Sequence, residues 1–336
     1  MTGPVFITGA SGFVGGAVLR HLVVDGREVR ALARSDEAER RVTEAGAIPI
    51  RGDLFDPQAL LGGMRGCATV FHAAGVNASC LRDPSSMLRT NVEGSAQVMR
   101  AAAAAGVGRI VHTSSASTIG ELEGTIGTEA STHRGWFLSQ YERSKFLAER
   151  RVLQMGRDLD LAVVCVNPSS VQGPGRTEGS ARLLLEMINR RRPAMVDTWL
   201  SIVDVDDCAA GHLLAERDGA AGSRYLLSGG SLTSADAVAL LRSVGGRPRH
   251  VLQVPRAAAS VAGAVAGMAS RLLRRPLPLC PEVVRTLLHG HRFDGSRAER
   301  ELGLTYRPLR DTVARTLDWY AEQGLIGSSI APGSAA

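Results

Sequence analysis

Aromatic residues make up only 4% of this 336-residue chain, and no run of five like charges occurs. Nucleic-acid binders show a basic stripe or stacking aromatics, so no nucleic-acid partner is expected. The net charge of +6 comes from 39 basic and 33 acidic residues that are intermixed. It reads as solubility with some attraction for anionic ligands. Cysteine is scarce: five residues (67, 80, 165, 208 and 280), widely spaced and without C-x-x-C. That argues against a disulfide framework or a zinc site and fits a reducing cytoplasm. The N-terminus lacks the basic and apolar regions of a signal peptide. The longest weakly polar stretch, 257–269, falls short of the roughly 18 residues of a membrane span. It reads as a buried or interface helix, with Gly263 and Gly267 allowing close approach of a neighbour; contact with lipid is the alternative. No G-x-S-x-G elbow surrounds a serine, which counts against a hydrolase. His72, His112 and His212 are not spaced as metal ligands and read as packing residues. Asp204, Asp206 and Asp207 read as capping and surface charge rather than a metal cluster.

What is present is an alternation of short apolar runs and helical patterns. Strands are predicted over 5–7, 28–33, 48–50, 68–72, 109–113 and 161–166, with helices over 12–25, 90–105 and 141–154. Strands separated by helices of this length imply an α/β fold with a doubly wound parallel sheet of the Rossmann type. We expect residues 1–171 to form the dinucleotide-binding domain. The segment 201–216 should return to it, its strand joining the main sheet. Residues 172–326 should form a smaller, partly discontinuous substrate lobe, with a helix over 181–191. The tail 327–336, small residues and one proline, reads as disordered.

Strand one runs into Gly9-x-x-Gly12-x-x-Gly15. Gly9 permits the tight turn, Gly12 lets backbone approach a pyrophosphate, and Gly15 lets the helix pack on the strand. Ser11, Phe13 and Val14 lie within this loop and at the helix start, where N–H groups and the dipole favour phosphate. An acid at the end of strand two would bind a ribose 2′-hydroxyl, whereas an arginine suits a 2′-phosphate. Here Ala33 is followed by Arg34, and Asp36 arrives two residues late. NADP is therefore favoured, with NAD possible. Asp53 and Leu54, after strand three, could hold the adenine. Ala73 and Ala74, after strand four, offer small residues where a cofactor lies close.

Strand five ends His112-Thr113-Ser114-Ser115-Ala116. A hydroxyl at the carboxyl end of a parallel strand faces the ligand crevice. Tyr141 and Lys145, four apart, share one helix face. A nearby ammonium lowers a phenol's pKa, so Tyr141 could protonate a carbonyl oxygen that Ser115 also binds. No metal is needed for that chemistry.

Taken together, these segments resemble the extended short-chain dehydrogenase/reductase (NAD-dependent epimerase/dehydratase) family. They are Thr8 to Gly15, Gly52-Asp53-Leu54, Phe71 to Ala74, Asn91 to Gly94, Thr113-Ser114-Ser115, Tyr141 to Lys145, Asn167 to Gly175, Val203 to Asp207, Asp294 to Ala298 and Glu301-Leu302-Gly303. The resemblance implies Ser115, Tyr141 and Lys145 as the catalytic set. It implies Thr113, Pro168, Ser170 and Val171 beside the cofactor, Pro168 and its followers walling the nicotinamide. Tyr141 to Ala148, Pro193 to Thr198 and Gly211 to Ala215 are similar to the dihydroflavonol-reductase-like branch. That branch includes hopanoid-associated sugar epimerase-like proteins and lies near 3β-hydroxysteroid dehydrogenases.

Nucleotide-sugar epimerases of the family place a Gly-rich turn and an arginine before the Val-Asp-Asp segment. Here 194–200 fills that gap with Trp199 and no arginine. Trp136, Phe137, Met195 and Trp199 instead suggest an apolar or aromatic substrate, although each could be core. Asn77, Ala116, Trp136 and Trp199 are the substrate-side candidates. The expectation is an NADPH-dependent oxidoreductase for a lipophilic ketone or aldehyde. A nucleotide-sugar epimerase or dehydratase with retained NAD is the alternative. A homodimer through the helix carrying Tyr141 follows from the resemblance alone.

Overall fold

The computed structural model describes residues 3–190, 192–246, 250–273 and 279–327, so the tail expectation falls almost wholly outside the described residues. The chain begins with β1 (Val5–Thr8), α1 (Phe13–Val24), β2 (Val29–Ala33), α2 (Asp36–Glu44), β3 (Ile48–Arg51), α3 (Pro57–Met64) and β4 (Thr69–His72). A helical run follows: α4 (Ser85–Leu88), a π-helical turn (Arg89–Gly94) and α5 (Ser95–Ala104). Next come β5 (Arg109–Thr113), a 3-10 turn (Ala116–Ile119), α6 (Gln140–Asp158), β6 (Ala162–Pro168), β7 (Ser170–Gln172) and α7 (Ser180–Asn189). The second half holds β8 (Ala194–Val196), β9 (Trp199–Asp204), α8 (Val205–Asp218), β10 (Arg224–Leu227), β11 (Gly230–Thr233) and α9 (Ser234–Ser243). It closes with β12 (Leu252–Val254), α10 (Arg256–Leu272), α11 (Pro281–His289), α12 (Ser296–Leu302) and α13 (Leu309–Glu322).

Seven parallel strands in the order β10-β6-β5-β4-β1-β2-β3 make the main sheet. β1 and β4 are buried along their whole length, because helices cover both faces of a parallel sheet. One core layer, with Leu19 and Leu22 of α1 and Cys208 of α8, covers one face. The other, with Leu60 of α3, Met99 of α5 and Val152 of α6, covers the opposite face. The order reverses between β1 and β4, which opens a crevice beyond their carboxyl ends.

The structure departs from the sequence reading in the second half. β9 does not join the main sheet; it lies between β7 and β11 in a three-stranded sheet. Only the helix half of that expectation holds, since α8 packs on α1, β5 and β6. The seventh main-sheet strand is instead β10, a four-residue segment paired with β6 from Cys165↔Arg224 to Pro168↔Leu227. Beyond Pro168 and Leu227 both chains leave the main sheet for the small one, as β7 and β11. A Val-rich strand before a capped helix has the local pattern of a β-α unit whichever sheet it enters. Asp204 caps α8 by accepting from the N–H of Asp206 at 2.8 Å. It is not surface charge, however: it is 1% exposed and faces Thr312, Arg315 and Arg307.

Cys80 and Cys280 form a disulfide, with Cα atoms 5.7 Å apart across 200 residues. This corrects the expectation of unpaired cysteines, and the cysteine argument for a reducing compartment fails with it. α10 packs on α11 through its glycines: a Cβ on Gly263 would meet Val284 at 2.7 Å, and one on Gly267 would meet Pro281 at 3.0 Å. Its other face exposes Val261, Val265, Met268 and Leu272, so of the two readings, buried or interface helix, the buried one does not hold there. Among the described residues no helix is long and apolar enough to cross a membrane.

Candidate active site

The glycine loop bridges β1 to α1 at the crevice. Gly9 has φ +76°, and a Cβ there would lie 2.5 Å from the Ala74 nitrogen. A Cβ on Gly15 would lie 2.2 Å from the Gly9 carbonyl oxygen, so helix and loop close only on glycine. Gly12 is the N-cap of α1, with no side chain capping it and no acid in the first turn. The first N–H groups of α1 are thus left for an anion. α2 is the opposite: Ser35 caps it and Asp36, Glu37 and Glu39 fill its first turn. The cradle therefore fits a pyrophosphate at α1 and not at α2. Ser11, Phe13 and Val14 are half-buried around it.

At the end of β2, Arg34 is exposed and its guanidinium has no carboxylate partner among the described residues. Asp36 is engaged by Arg51, whose Nη1 donates to it at 2.6 Å. Asp53 is exposed and accepts from the N–H of Phe55 at 2.7 Å. Leu54 is buried in the core layer that holds Phe6. Ala73 and Ala74 are half-buried, and the Ala74 N–H donates to Thr8 Oγ1 at 3.3 Å.

Tyr141 is the second residue of α6, whose N-cap Ser139 accepts from the N–H of Glu142 at 3.1 Å. One turn later Lys145 is 6% exposed, and its Nζ donates to the Thr113 carbonyl at 2.7 Å. Burial pushes the Lys145 ammonium down to about 8, while Glu149, one turn further, opposes the shift. Burial also pushes the Tyr141 phenol above its ordinary value; a hydrogen bond with Ser115 and the charge of Arg176 pull it back. Lys145 is not among the groups lowering it, which corrects the sequence expectation. Its Nζ is turned to Thr113 instead of the phenol.

Ser115 caps the 3-10 turn, its Oγ accepting from the N–H of Ser117 at 3.3 Å and from its hydroxyl at 3.0 Å. The turn is held from below by a buried network the sequence did not announce. Asn167 Nδ2 donates to Thr118 Oγ1 at 2.9 Å and to the Ser115 carbonyl at 3.2 Å. Thr118 donates to Glu149 at 3.1 Å, and Arg224 donates to the other Glu149 oxygen at 3.3 Å. Asn91, in the π-helical turn, ties the loop after β4 to α6: it bonds the Val76 backbone twice and donates to Ser144 Oγ at 2.8 Å. π-helical turns recur at functional sites.

His72, His112 and His212 are buried, as packing residues should be. His72 bridges Thr8 and Ser95, and His212 bonds Thr113 Oγ1 at 2.9 Å. Burial first, then the charge of Lys145, holds His72 at about 3, so it is neutral. Pro168 ends β6, Ser170 Oγ accepts from Gln172, and Val171 has its side chain in the core and its carbonyl accepting from Arg176 at 3.4 Å.

The substrate-side candidates are less well gathered. Asn77 is exposed on the loop after β4. Ala116 is 2% exposed and packs with Ile119, Leu226 and Phe293, so its side chain is core and not a pocket wall. Met195 packs against the lobe core around Leu317 and Tyr320. Trp136 is 52% exposed, with Arg134 5.0 Å from its ring. Phe137 packs with His133 and Phe146. Trp199 is half-buried under Arg292, 4.2 Å from its ring. The absence of arginine within 194–200 therefore does not leave Trp199 without a cation; one arrives from a distant segment. Arg176 is the residue the sequence reading missed. Its guanidinium lies 5.4 Å from the Phe13 ring and close enough to Tyr141 to affect the phenol. The run Gly173-Pro174-Gly175 before it marked a loop, and nothing local showed where that loop folds.

A model of the "NAD dependent epimerase/dehydratase family" matches residues 5–227. A putative dihydroflavonol 4-reductase of Synechocystis sp. is 31% identical, covering 96% of this chain and 95% of that one. A 2-alkyl-3-oxoalkanoate reductase of Stenotrophomonas maltophilia is 33% identical, covering 89% and 93%. The crystal structure of gox2253 superposes with a TM-score of 0.82 at 31% identity, covering 96% of this chain and 99% of that one. With the α1 cradle and the reductase relatives, this places the chain in the NAD-dependent epimerase/dehydratase family, within its extended short-chain dehydrogenase/reductase branch, as an NAD(P)-dependent oxidoreductase.

Proposed function

We propose that this enzyme reduces a ketone on a lipophilic substrate, using NADPH, with Tyr141 as the proton donor. The observation that carries the reading is the placement of Tyr141 at the start of α6, near enough to Ser115 for that hydroxyl to lower the phenol's pKa, one helical turn from buried Lys145. The cofactor, when bound, supplies the hydride. The chain's own residues do the rest. Ser115 and Tyr141 both donate to the carbonyl oxygen, and Tyr141 gives up its proton as negative charge develops there. A phenol held above its ordinary pKa by burial keeps that proton at neutral pH. Lys145 would hold the ribose hydroxyls of the cofactor, and its ammonium would offset the negative charge left on the Tyr141 phenolate. Gly9, Gly12 and the start of α1 hold the pyrophosphate. Arg34 holds the 2′-phosphate, since it is unpaired while Asp36 is committed to Arg51.

The reductase names of the relatives support ketone reduction, and 2-alkyl-3-oxoalkanoates are lipophilic ketones of the expected kind. The test is loss of absorbance of the reduced cofactor with 2-alkyl-3-oxoalkanoates, aromatic ketones, steroid ketones and sugar nucleotides. Turnover with one of the first three and NADPH preferred over NADH is expected. Turnover of sugar nucleotides alone, by protein that purifies with NAD retained, would overturn the reading.

A further inference from the structure

Glu121, His289 and His291 converge on one another, and nothing in ketone reduction uses them. Their ligand atoms all lie within 4.8 Å of one another. Glu121 follows Gly120, the left-handed residue (φ +63°) that ends the 3-10 turn. His289 is the last residue of α11, and Gly290, also left-handed at φ +64°, reverses the chain so that His291 returns to the same side. No side chain could replace that glycine, because its Cβ would meet Thr198 Oγ1 and the Trp199 nitrogen at 2.8 Å each. The His291 backbone is fixed at both groups: its N–H donates to the Trp199 carbonyl at 3.1 Å, and its carbonyl accepts from Ser201 Oγ at 2.8 Å. The cluster is therefore built by locked backbone.

The polar atoms inside it are incompletely satisfied. Glu121 is 2% exposed and His289 8%. His291 Nδ1 lies 2.6 Å from Glu121 Oε1, and His289 Nε2 lies 3.4 Å from the same oxygen. His289 Nε2 and Glu121 Oε2 are buried without a hydrogen-bond partner. Two orphaned groups in one buried cluster are costly.

We propose that Glu121, His289 and His291 bind a divalent metal ion, zinc by the donor set. Zinc takes imidazole nitrogen at about 2.0–2.1 Å and carboxylate oxygen at about 2.0–2.2 Å, so neighbouring tetrahedral ligands stand about 3.4 Å apart. The His289–Glu121 pair already has that separation, and the His291–Glu121 pair need open by less than about 1 Å. The ion would take the place of the proton shared along the 2.6 Å contact and satisfy the orphaned His289 nitrogen. A cavity of about 180 Å3 bordered by His289, Gly290, Thr198 and Trp199 lies beside the cluster. The nearby cations are committed elsewhere. Arg134 is paired with Glu142 while its Nη1 donates to the Glu121 backbone carbonyl at 3.3 Å, Arg256 is paired with Glu123, and Arg292 lies on Trp199. The ion would tie the loop after β5 to the segment after α11, a structural link beside the Trp199 wall.

The experiment is a Zn2+ titration of the full-length, tag-free protein with its Cys80–Cys280 bond intact, against a chromophoric chelator. One zinc per chain is expected, together with a higher melting temperature that a chelator reverses. Glu121→Gln, His289→Asn and His291→Asn should each weaken binding by more than the roughly 10–100-fold cost of losing an outer-shell partner. Co2+ on the wild-type protein should give the visible bands of a four-coordinate nitrogen–oxygen site, a readout that needs no variant to fold. Absence of stoichiometric zinc, affinity unchanged in the variants, or sulfur-to-cobalt charge transfer would each overturn the proposal.

Discussion

The proposed cofactor wall of the crevice and the proposed substrate side are built in different ways. The cofactor wall is backbone and buried polar contact: three glycines whose Cβ atoms would collide, an uncapped helix start, and Asn91 and Asn167 fixing the turns behind Lys145 and Ser115. The proposed substrate side is side chains on loops and at a strand start: half-exposed Trp136, Trp199 at the start of β9 under an arginine, and exposed Asn77. The first arrangement fixes the reacting atoms to fractions of an ångström, as proton and hydride transfer need. The second can vary with the substrate at little cost to the fold, because the tryptophans are not the core they border.

Substitutions on the two walls should therefore differ in size. The largest effect is expected for Tyr141→Phe, which removes the proton donor and nothing from the fold. Ketone reduction should fall by about 10²–10⁴-fold, with NADPH binding by fluorescence titration unchanged. Next is Arg34→Ala. Losing a charged partner for the 2′-phosphate is worth about 1.5–3 kcal/mol, so NADPH affinity should fall at least about tenfold while NADH affinity stays level. A smaller, graded loss is expected with pH. Lys145 titrates near about 8, and its charge is present below that value and lost above it. A pH profile of kcat/KM for reduction should decline as pH rises through about 8, and Lys145→Arg should carry the decline to higher pH. The smallest effect belongs to Trp136→Ala. Because the residue is 52% exposed, KM should change within about twofold, the range of surface substitutions. A Trp136→Ala effect rivalling that of Tyr141→Phe would show the substrate wall to be as rigid as the cofactor wall.

What the sequence revealed follows the same division. The glycine loop, β1 to β6 and the Tyr141–Lys145 face are local patterns, with periods of two and 3.6 residues that need no knowledge of partners. Ser115 was legible because a strand end fixes its direction. Arg176 was not, since its approach to Tyr141 depends on how the 173–179 loop returns. β10 joins the main sheet only by pairing with β6, a partner its four residues do not specify, and β9 had a β-α pattern that fits either sheet. Lys145 shares a helix face with Tyr141 as the spacing requires, but its Nζ chooses the Thr113 carbonyl, a choice only the neighbouring strand makes. The Cys80–Cys280 bond and the Glu121, His289 and His291 cluster join residues more than 150 positions apart, where spacing gives no signal.

The central claim is that hydride from NADPH and a proton from Tyr141 reduce a lipophilic ketone in this crevice. The most direct measurement follows deuterium from nicotinamide-deuterated NADPH into the product of the best ketone substrate, by mass spectrometry. The account predicts one deuterium on the new carbinol carbon with the wild-type protein, and almost none within the same time with Tyr141→Phe. No label in any ketone product, or equal transfer by the Tyr141→Phe protein, would contradict it.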